Sequence, residues 1–220
     1  MQSEFMQDET AHVLEARNLS YGYRKSSPVF ESVNLSIAAG ERIALVGPSG
    51  CGKSTLSQIL AGYLRPDSGE VLIDGQAVNP TTFSGKVYPV QLIYQHPEKA
   101  VNPRWKLGRT LEEAWSPPPE LLDRMGIKTQ WLARYPAELS GGELQRFCIA
   151  RALAPQTRFL IADEMSTMLD VITQAQVWEV ILDEVKQRKL GLLTITHSIE
   201  LAEKVSTSIV LFEDLLRRGQ

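Results

Sequence analysis

The chain has 220 residues, with 23 basic and 26 acidic side chains and a formal net charge of −3. Hydrophobic residues make up 43% and charged residues 22%, the balance of a soluble globular protein with one substantial core. No dense Lys/Arg run marks a nucleic-acid surface, and no apolar run approaches the roughly 20 residues needed to cross a bilayer.

The first residues, MQSEFMQDETAH, are polar and acidic, unlike a signal peptide. Cys51 and Cys148 lack CxxC spacing and clustered histidines, which argues against a zinc site or a disulfide framework. These features predict a cytosolic protein that meets a membrane only through a partner.

Short apolar runs separated by turn residues fill the N-terminal third. HVLEARNLSYGY, FESVNLSIAAGE, ERIALVGPSG and GEVLIDGQ read as strands, partly antiparallel. RIALVG is a buried strand running into a glycine-rich loop, and KSTLSQILAGYL then reads as a helix. Residues 96 to 138 are different in kind, with Trp105, Trp115, Trp131 and the triple proline Pro117 to Pro119 but little strand pattern. With the helix after LSGGE they form an inserted helical subdomain over 96–155, flanked by core segments 1–95 and 156–220.

The last third alternates again. RFLIADE is a strand, VITQAQVWEVILDEVKQRK a helix, LGLLTITH a strand, SIELAEKVS a helix and SIVLFED a final strand. Near-continuous apolar strands between amphipathic helices predict an α/β fold with a parallel sheet covered on both faces.

The stretch GPSGCGKST, comprising Gly47, Pro48, Ser49, Gly50, Cys51, Gly52, Lys53, Ser54 and Thr55, fits G-x-x-x-x-G-K-[ST] between a strand and a helix. Glycines let successive N–H groups point inward as an anion nest. Lys53 is placed to reach the β- and γ-phosphates, and Ser54 to offer its hydroxyl to Mg²⁺. The fold class is therefore a phosphate-loop (RecA-like) core with an N-terminal antiparallel β subdomain and the helical insert.

FLIADE puts Asp163 and Glu164 at the carboxyl end of a buried strand, where open α/β sheets bind ligands. Asp163 can hold Mg²⁺, directly or through water, and Glu164 can act as general base toward a water facing the γ-phosphate. In LSGGELQR, Ser140 answered by Glu143 is a capping box at a helix N-terminus. The adjacent Gly141 and Gly142 allow close approach to what would be a second anion site.

GPSGCGKST, Gln95, LSGGELQR, FLIADE, STMLD and TITH occur in the order that marks the nucleotide-binding subunits of ABC transporters, and the chain resembles them over nearly its whole length. That resemblance implies ATP and Mg²⁺ as ligands and ATP hydrolysis as the reaction. It implies that Tyr23, or alternatively Tyr21, stacks on adenine. Gln95 would sense Mg²⁺, Asp170 would communicate across a dimer, and His197 would contact the γ-phosphate. Ser140, Gly141 and Gly142 would contact the ATP of another subunit. Alone, neither Gln95 nor His197 carries such a reading. Met165 stands where the family commonly has proline.

HPEKAVNPRWKL, RYPAELSGGELQRFCIARAL and DVITQAQVWEVI resemble importers of the nickel, dipeptide and metal–opine type. This implies a second ATPase subunit, different or identical, two transmembrane permease subunits and an extracytoplasmic binding protein, on the inner face of the membrane. A soluble ABC ATPase acting on nucleic acid or ribosomes is the alternative. It is disfavoured by the absence of basic arms and coiled-coil inserts. A regulator without turnover is disfavoured by Glu164 and His197 together.

Overall fold

A computed structural model describes residues 12–24, 27–78 and 87–217; the polar N-terminal stretch 1–11 lies outside them. Two sheets share the work. Strands β1 (Val13–Tyr21), β2 (Phe30–Ala38), β4 (Ser68–Ile73) and β5 (Gln76–Ala77) form an antiparallel sheet in the order β2-β1-β4-β5. Strands β3 (Arg42–Val46), β6 (Val90–Ile93), β7 (Phe159–Asp163), β8 (Gly191–Thr196) and β9 (Ser208–Leu211) form a parallel sheet in the order β6-β7-β8-β3-β9.

Apart from the edge strand β9, most of which is exposed, the parallel strands are covered on both sides, as their apolar runs require. Every residue of β7 and β8 is buried. Side chains alternate between two cores along β7. Phe159 and Ile161 join the cluster built with the antiparallel sheet and helix α1 (Lys53–Leu60). Leu160 and Ala162 join the cluster on the other face, with helices α4 (Gly141–Ala152) and α5 (Val171–Arg188).

Between β6 and α4 the chain makes short helices α2 (Leu107–Glu112) and α3 (Pro119–Arg124) and three 3₁₀ turns. Trp131 lies 6.5 Å, ring centroid to ring centroid, from Phe147 of α4, and the Trp115 indole N–H donates to the Ala150 carbonyl at 3.0 Å. Trp115 and Trp131 thus hold the segment before α4 to that helix. Helix starts follow their sequence signals. Asp170 caps α5 by accepting from the N–H groups of Ile172 (3.1 Å) and Thr173 (3.0 Å), and Ser198 caps α6 (Ile199–Val205) by accepting from Leu201 at 3.2 Å.

One expectation fails. SIVLFED is not a single strand: β9 ends at Leu211 and Phe212–Arg217 form helix α7. Acidic Glu213 and Asp214 in the first turn and Arg217 in the last suit the helix dipole. Phe212 turns inward, fully buried, its ring 6.3 Å from that of Phe30. The helix therefore ties the end of the described chain to the underside of the glycine-rich loop.

Phe147 is wholly inaccessible and packs α4 against Trp131. Phe147→Ala is expected to cost about 3–5 kcal/mol of unfolding free energy. Urea denaturation checks this, and a loss below about 1 kcal/mol would contradict the packing described.

Candidate functional site: a phosphate loop and three strand ends

β3 ends at Val46 and the loop Gly47–Gly52 leads into α1. Gly50 (φ 79°) and Gly52 (φ 114°) adopt left-handed backbone that favours glycine. A Cβ on Gly52 would also lie 2.8 Å from Val29 Cγ1, so space and backbone both demand glycine there. Pro48, Ser49 and Gly50 are exposed, whereas Lys53 is buried at 5% exposure. Its Nζ donates to the carbonyl oxygens of Gly47 and Pro48, each at 2.8 Å. A buried cation beneath an exposed, glycine-bent loop is the arrangement that receives phosphate oxygens.

Ser54 is exposed at the start of α1. Tyr23 is 67% exposed, with its hydroxyl 3.2 Å from Thr55 Oγ1 and its ring edge-on to Tyr21 at 5.2 Å. The Tyr23 ring thus lies exposed beside the loop. Cys51 is half-buried with its Sγ 3.7 Å from Lys53 Nζ.

Asp163, the last residue of β7, is buried at 6% exposure, with Ser57 Oγ at 3.5 Å. Burial pushes its carboxyl above the ordinary carboxylate range, and the Glu164 charge adds to this. Hydrogen bonding from Ser54 and Ser57 and the Lys53 charge oppose it. A desolvated carboxylate beside serine hydroxyls is a fitting oxygen donor set for a hard divalent cation.

Glu164 follows with a left-handed backbone, φ 45°. Its N–H donates to the Ile195 carbonyl of β8 at 3.0 Å, and its own carbonyl accepts from the Thr167 hydroxyl at 3.1 Å. The turn aims the carboxylate between two neighbours. Gln95 Nε2 donates to Oε2 at 3.4 Å, and His197 Nδ1 lies 3.3 Å from Oε1. Met165 is buried in the apolar cluster that includes α4 and α5, where it serves packing.

Ser140, Gly141 and Gly142, called the signature residues from here on, sit apart from this group. Ser140 and Glu143 make the full capping box: Ser140 Oγ accepts from the Glu143 N–H at 3.3 Å, and Glu143 accepts from the Ser140 N–H at 2.8 Å. Backbone hydrogen bonding from Ser140 holds the Glu143 carboxyl below its usual range. A Cβ on Gly141 would lie 3.1 Å from Met168 Sδ, and one on Gly142 3.2 Å from Leu169 Cδ2. The glycine pair therefore lets the helix start lie close against the 166–170 loop. Ser140, Gly141, Gly142 and Asp170 line a concavity of about 330 Å³ to which no residue of the 47–55 loop contributes.

The structure thus brings Gly47–Thr55, Tyr23, Asp163, Glu164, Gln95 and His197 to one edge, and gathers Ser140, Gly141, Gly142 and Asp170 in a second place. Sequence reasoning passed over Gln145, Phe212 and Thr173. The signal for Gln145 was present, since it is a polar residue on the buried face of an amphipathic helix. Phe212 was hidden in an apolar run that reads as strand.

Fold and site together define a phosphate-loop nucleoside triphosphatase. The family model described as ABC transporter matches residues 30–167. The nickel import system ATP-binding protein NikE of Staphylococcus aureus (strain bovine RF122 / ET3-1) is 31% identical over 215 residues, covering 92% of this chain and 87% of that protein. Its counterpart in strain MSSA476 is 30% identical over the same shares. Among solved structures, an ATP-binding subunit of an ABC transporter superposes with a TM-score of 0.78 at 27% identity, over 90% of this chain and 85% of that one. A dimeric ATP-binding cassette in a post-hydrolysis state with ADP and Pi has the same fold, with a TM-score of 0.77 at 24% identity over 90% of this chain and 93% of that one. The chain belongs to the ABC transporter family, and it is an ATP-binding, ATP-hydrolysing cassette.

A carboxyl whose folded pKa is raised penalises folding once it ionises, and the penalty vanishes below the unfolded value of about 3.9. Asp163→Asn is therefore expected to raise the melting temperature of the nucleotide-free chain at pH 7, with the gain shrinking as the pH falls toward 4. Thermal unfolding across that range checks it; an equal or lower melting temperature at pH 7 would contradict it.

Proposed function

We propose that the chain is the ATP-hydrolysing subunit of a membrane importer in the nickel, dipeptide or metal–opine group. Support for the substrate group comes from the nickel-import relatives, which align over 92% of the chain. The observation that carries the mechanism is the separation of the two halves of the site. No residue of the 47–55 loop lines the concavity at the Ser140 helix start, which supports completion of each half by another subunit.

In this reading the loop amides and Lys53 hold the phosphates of ATP, and the Tyr23 ring stacks on adenine. Asp163, Ser54 and Gln95 would hold Mg²⁺, which neutralises charge on the phosphate oxygens when bound. Glu164 orients a water toward the γ-phosphorus and takes its proton as the bond from that phosphorus to the β,γ-bridging oxygen breaks. His197, 64% exposed at its side chain and already beside Glu164, donates to the γ-phosphate. The partner's signature helix closes over the phosphates with its backbone N–H groups and positive dipole end. Closure excludes water and strengthens these contacts, and hydrolysis removes what held the halves together.

Among the described residues no helix is long and apolar enough to cross a membrane. In this reading the permease subunits are separate chains that dock on this one. A broad groove of about 1560 Å³ lined by Tyr63, Gln91, Glu113 and Arg151 suits them. The Tyr63 ring lies edge-on against Tyr94 at 5.5 Å, one residue from Gln95, so groove and catalytic edge share a wall. An extracytoplasmic binding protein would deliver the cargo to the permeases.

Glu164→Gln should retain ATP binding and lower turnover of the assembled transporter by about a hundred- to ten-thousand-fold, the worth of a general base. Steady-state phosphate release reads this, and turnover close to the parent's would remove Glu164 from the role. Ser140→Arg should leave the isolated chain's ATP affinity unchanged while lowering turnover at the composite site by about a hundredfold or more. Loss of ATP binding by the isolated variant would contradict completion from another subunit.

A further inference from the structure

Three methionines fall among the described residues, and they differ sharply in exposure. Met125 and Met165 are buried at 2% and 1%, whereas Met168 is 40% exposed. Met168 lies in the loop between β7 and α5, and its Sδ would stand 3.1 Å from a Cβ placed on Gly141. The thioether therefore rests on the backbone at the start of α4. It also lines the concavity of about 330 Å³ shared by Ser140, Gly141, Gly142 and Asp170. Burial shields a methionine sulfur, while one open to solvent is converted by peroxide to the polar sulfoxide.

What this sulfur faces sets the consequence. The N–H groups at the start of a helix lack helical acceptors. Here the capping box takes two of them, those of Ser140 and Glu143. Among the described residues the N–H groups of Gly141 and Gly142 meet no acceptor. They are the donors left for an anion, and a thioether, being a weak acceptor, does not compete for them. A sulfoxide oxygen does compete. It carries partial negative charge, which the positive end of the α4 dipole favours.

We propose that Met168 is an oxidation site whose sulfoxide switches the signature off. A lone pair of Sδ attacks one oxygen of hydrogen peroxide, and the O–O bond breaks as the S–O bond forms. The leaving hydroxide takes the proton of the transferred oxygen and departs as water. The sulfur is oxidised and the peroxide reduced. The new oxygen accepts from the Gly141 or Gly142 N–H within the chain and so takes the place of the other subunit's phosphate. The phosphate loop of the same chain is untouched. The loss of turnover rests on the composite-site reading; the selective oxidation does not.

The test treats the full chain and the assembled transporter with hydrogen peroxide, restores the thiols of Cys51 and Cys148 with dithiothreitol, and locates sulfoxide by peptide mass. In the isolated chain Met168 should be oxidised while Met125 and Met165 remain thioethers, and ATP affinity should be unchanged. In the assembled transporter turnover should fall about a hundredfold, the worth of one lost charge-stabilising donor. Methionine sulfoxide reductase should restore it. Met168→Leu, a swap of similar volume, should keep its own turnover through the same treatment. Met1 and Met6 are present in both chains and cancel in that comparison. Met168→Gln, which sets an amide oxygen on a side chain of similar length, should lower turnover without any oxidant. Equal loss in parent and Met168→Leu, a sulfoxide on Met168 with turnover unchanged, or full turnover in Met168→Gln overturns the proposal. A sulfoxide that instead lowers the isolated chain's own ATP affinity would contradict the composite-site reading, so the two failures are told apart.

Discussion

Parallel pairing of β6, β7, β8 and β3 is the constraint on which the site depends. Ile93 pairs with Ala162, Asp163 with Ile195, and Val46 with Thr196, so four strands end at one level. Gln95, Glu164, His197 and Gly47 each follow one or two residues beyond those pairs. Residues scattered over 150 positions of sequence thereby reach a single edge, and that edge is where the carboxyl ends of a parallel sheet accept ligands. The register in turn is held by burial on both faces, because a slip of one residue would exchange the two cores.

At that edge the chain accepts local strain. Glu164 is a non-glycine residue with φ 45°, and such backbone costs on the order of 1–3 kcal/mol. Hydrogen bonds to the Ile195 carbonyl and from Thr167 hold the turn, and its result is a carboxylate set between Gln95 and His197. The signature helix accepts a different constraint. Its two glycines allow close contact with Met168 and Leu169.

Much of this was legible in the residues. The phosphate loop carried its own context of strand and helix, the capping box at Ser140 formed as the serine-to-glutamate spacing implied, and the apolar runs of β7 and β8 announced a doubly covered sheet. The failures have physical reasons. Apolar residues of SIVLF read alike as strand or buried helix start, and only the packing of Phe212 beneath the glycine loop decides between them. The 3₁₀ turns between residues 97 and 138 lack any periodicity to read. Gln145 showed as one polar residue on a helix, and its bond to Tyr94, 51 positions away, exists only in the fold.

The central claim is that this chain's phosphate loop and signature serve two different nucleotides. A structure of the assembled Glu164→Gln cassette pair with ATP and Mg²⁺ tests it most directly, by showing which subunit's Ser140 lies against the γ-phosphate held on Lys53. The expected result is the other subunit's signature serine there, with this chain's Ser140 at the opposite nucleotide. A γ-phosphate contacted by Lys53 and Ser140 of one chain would contradict it.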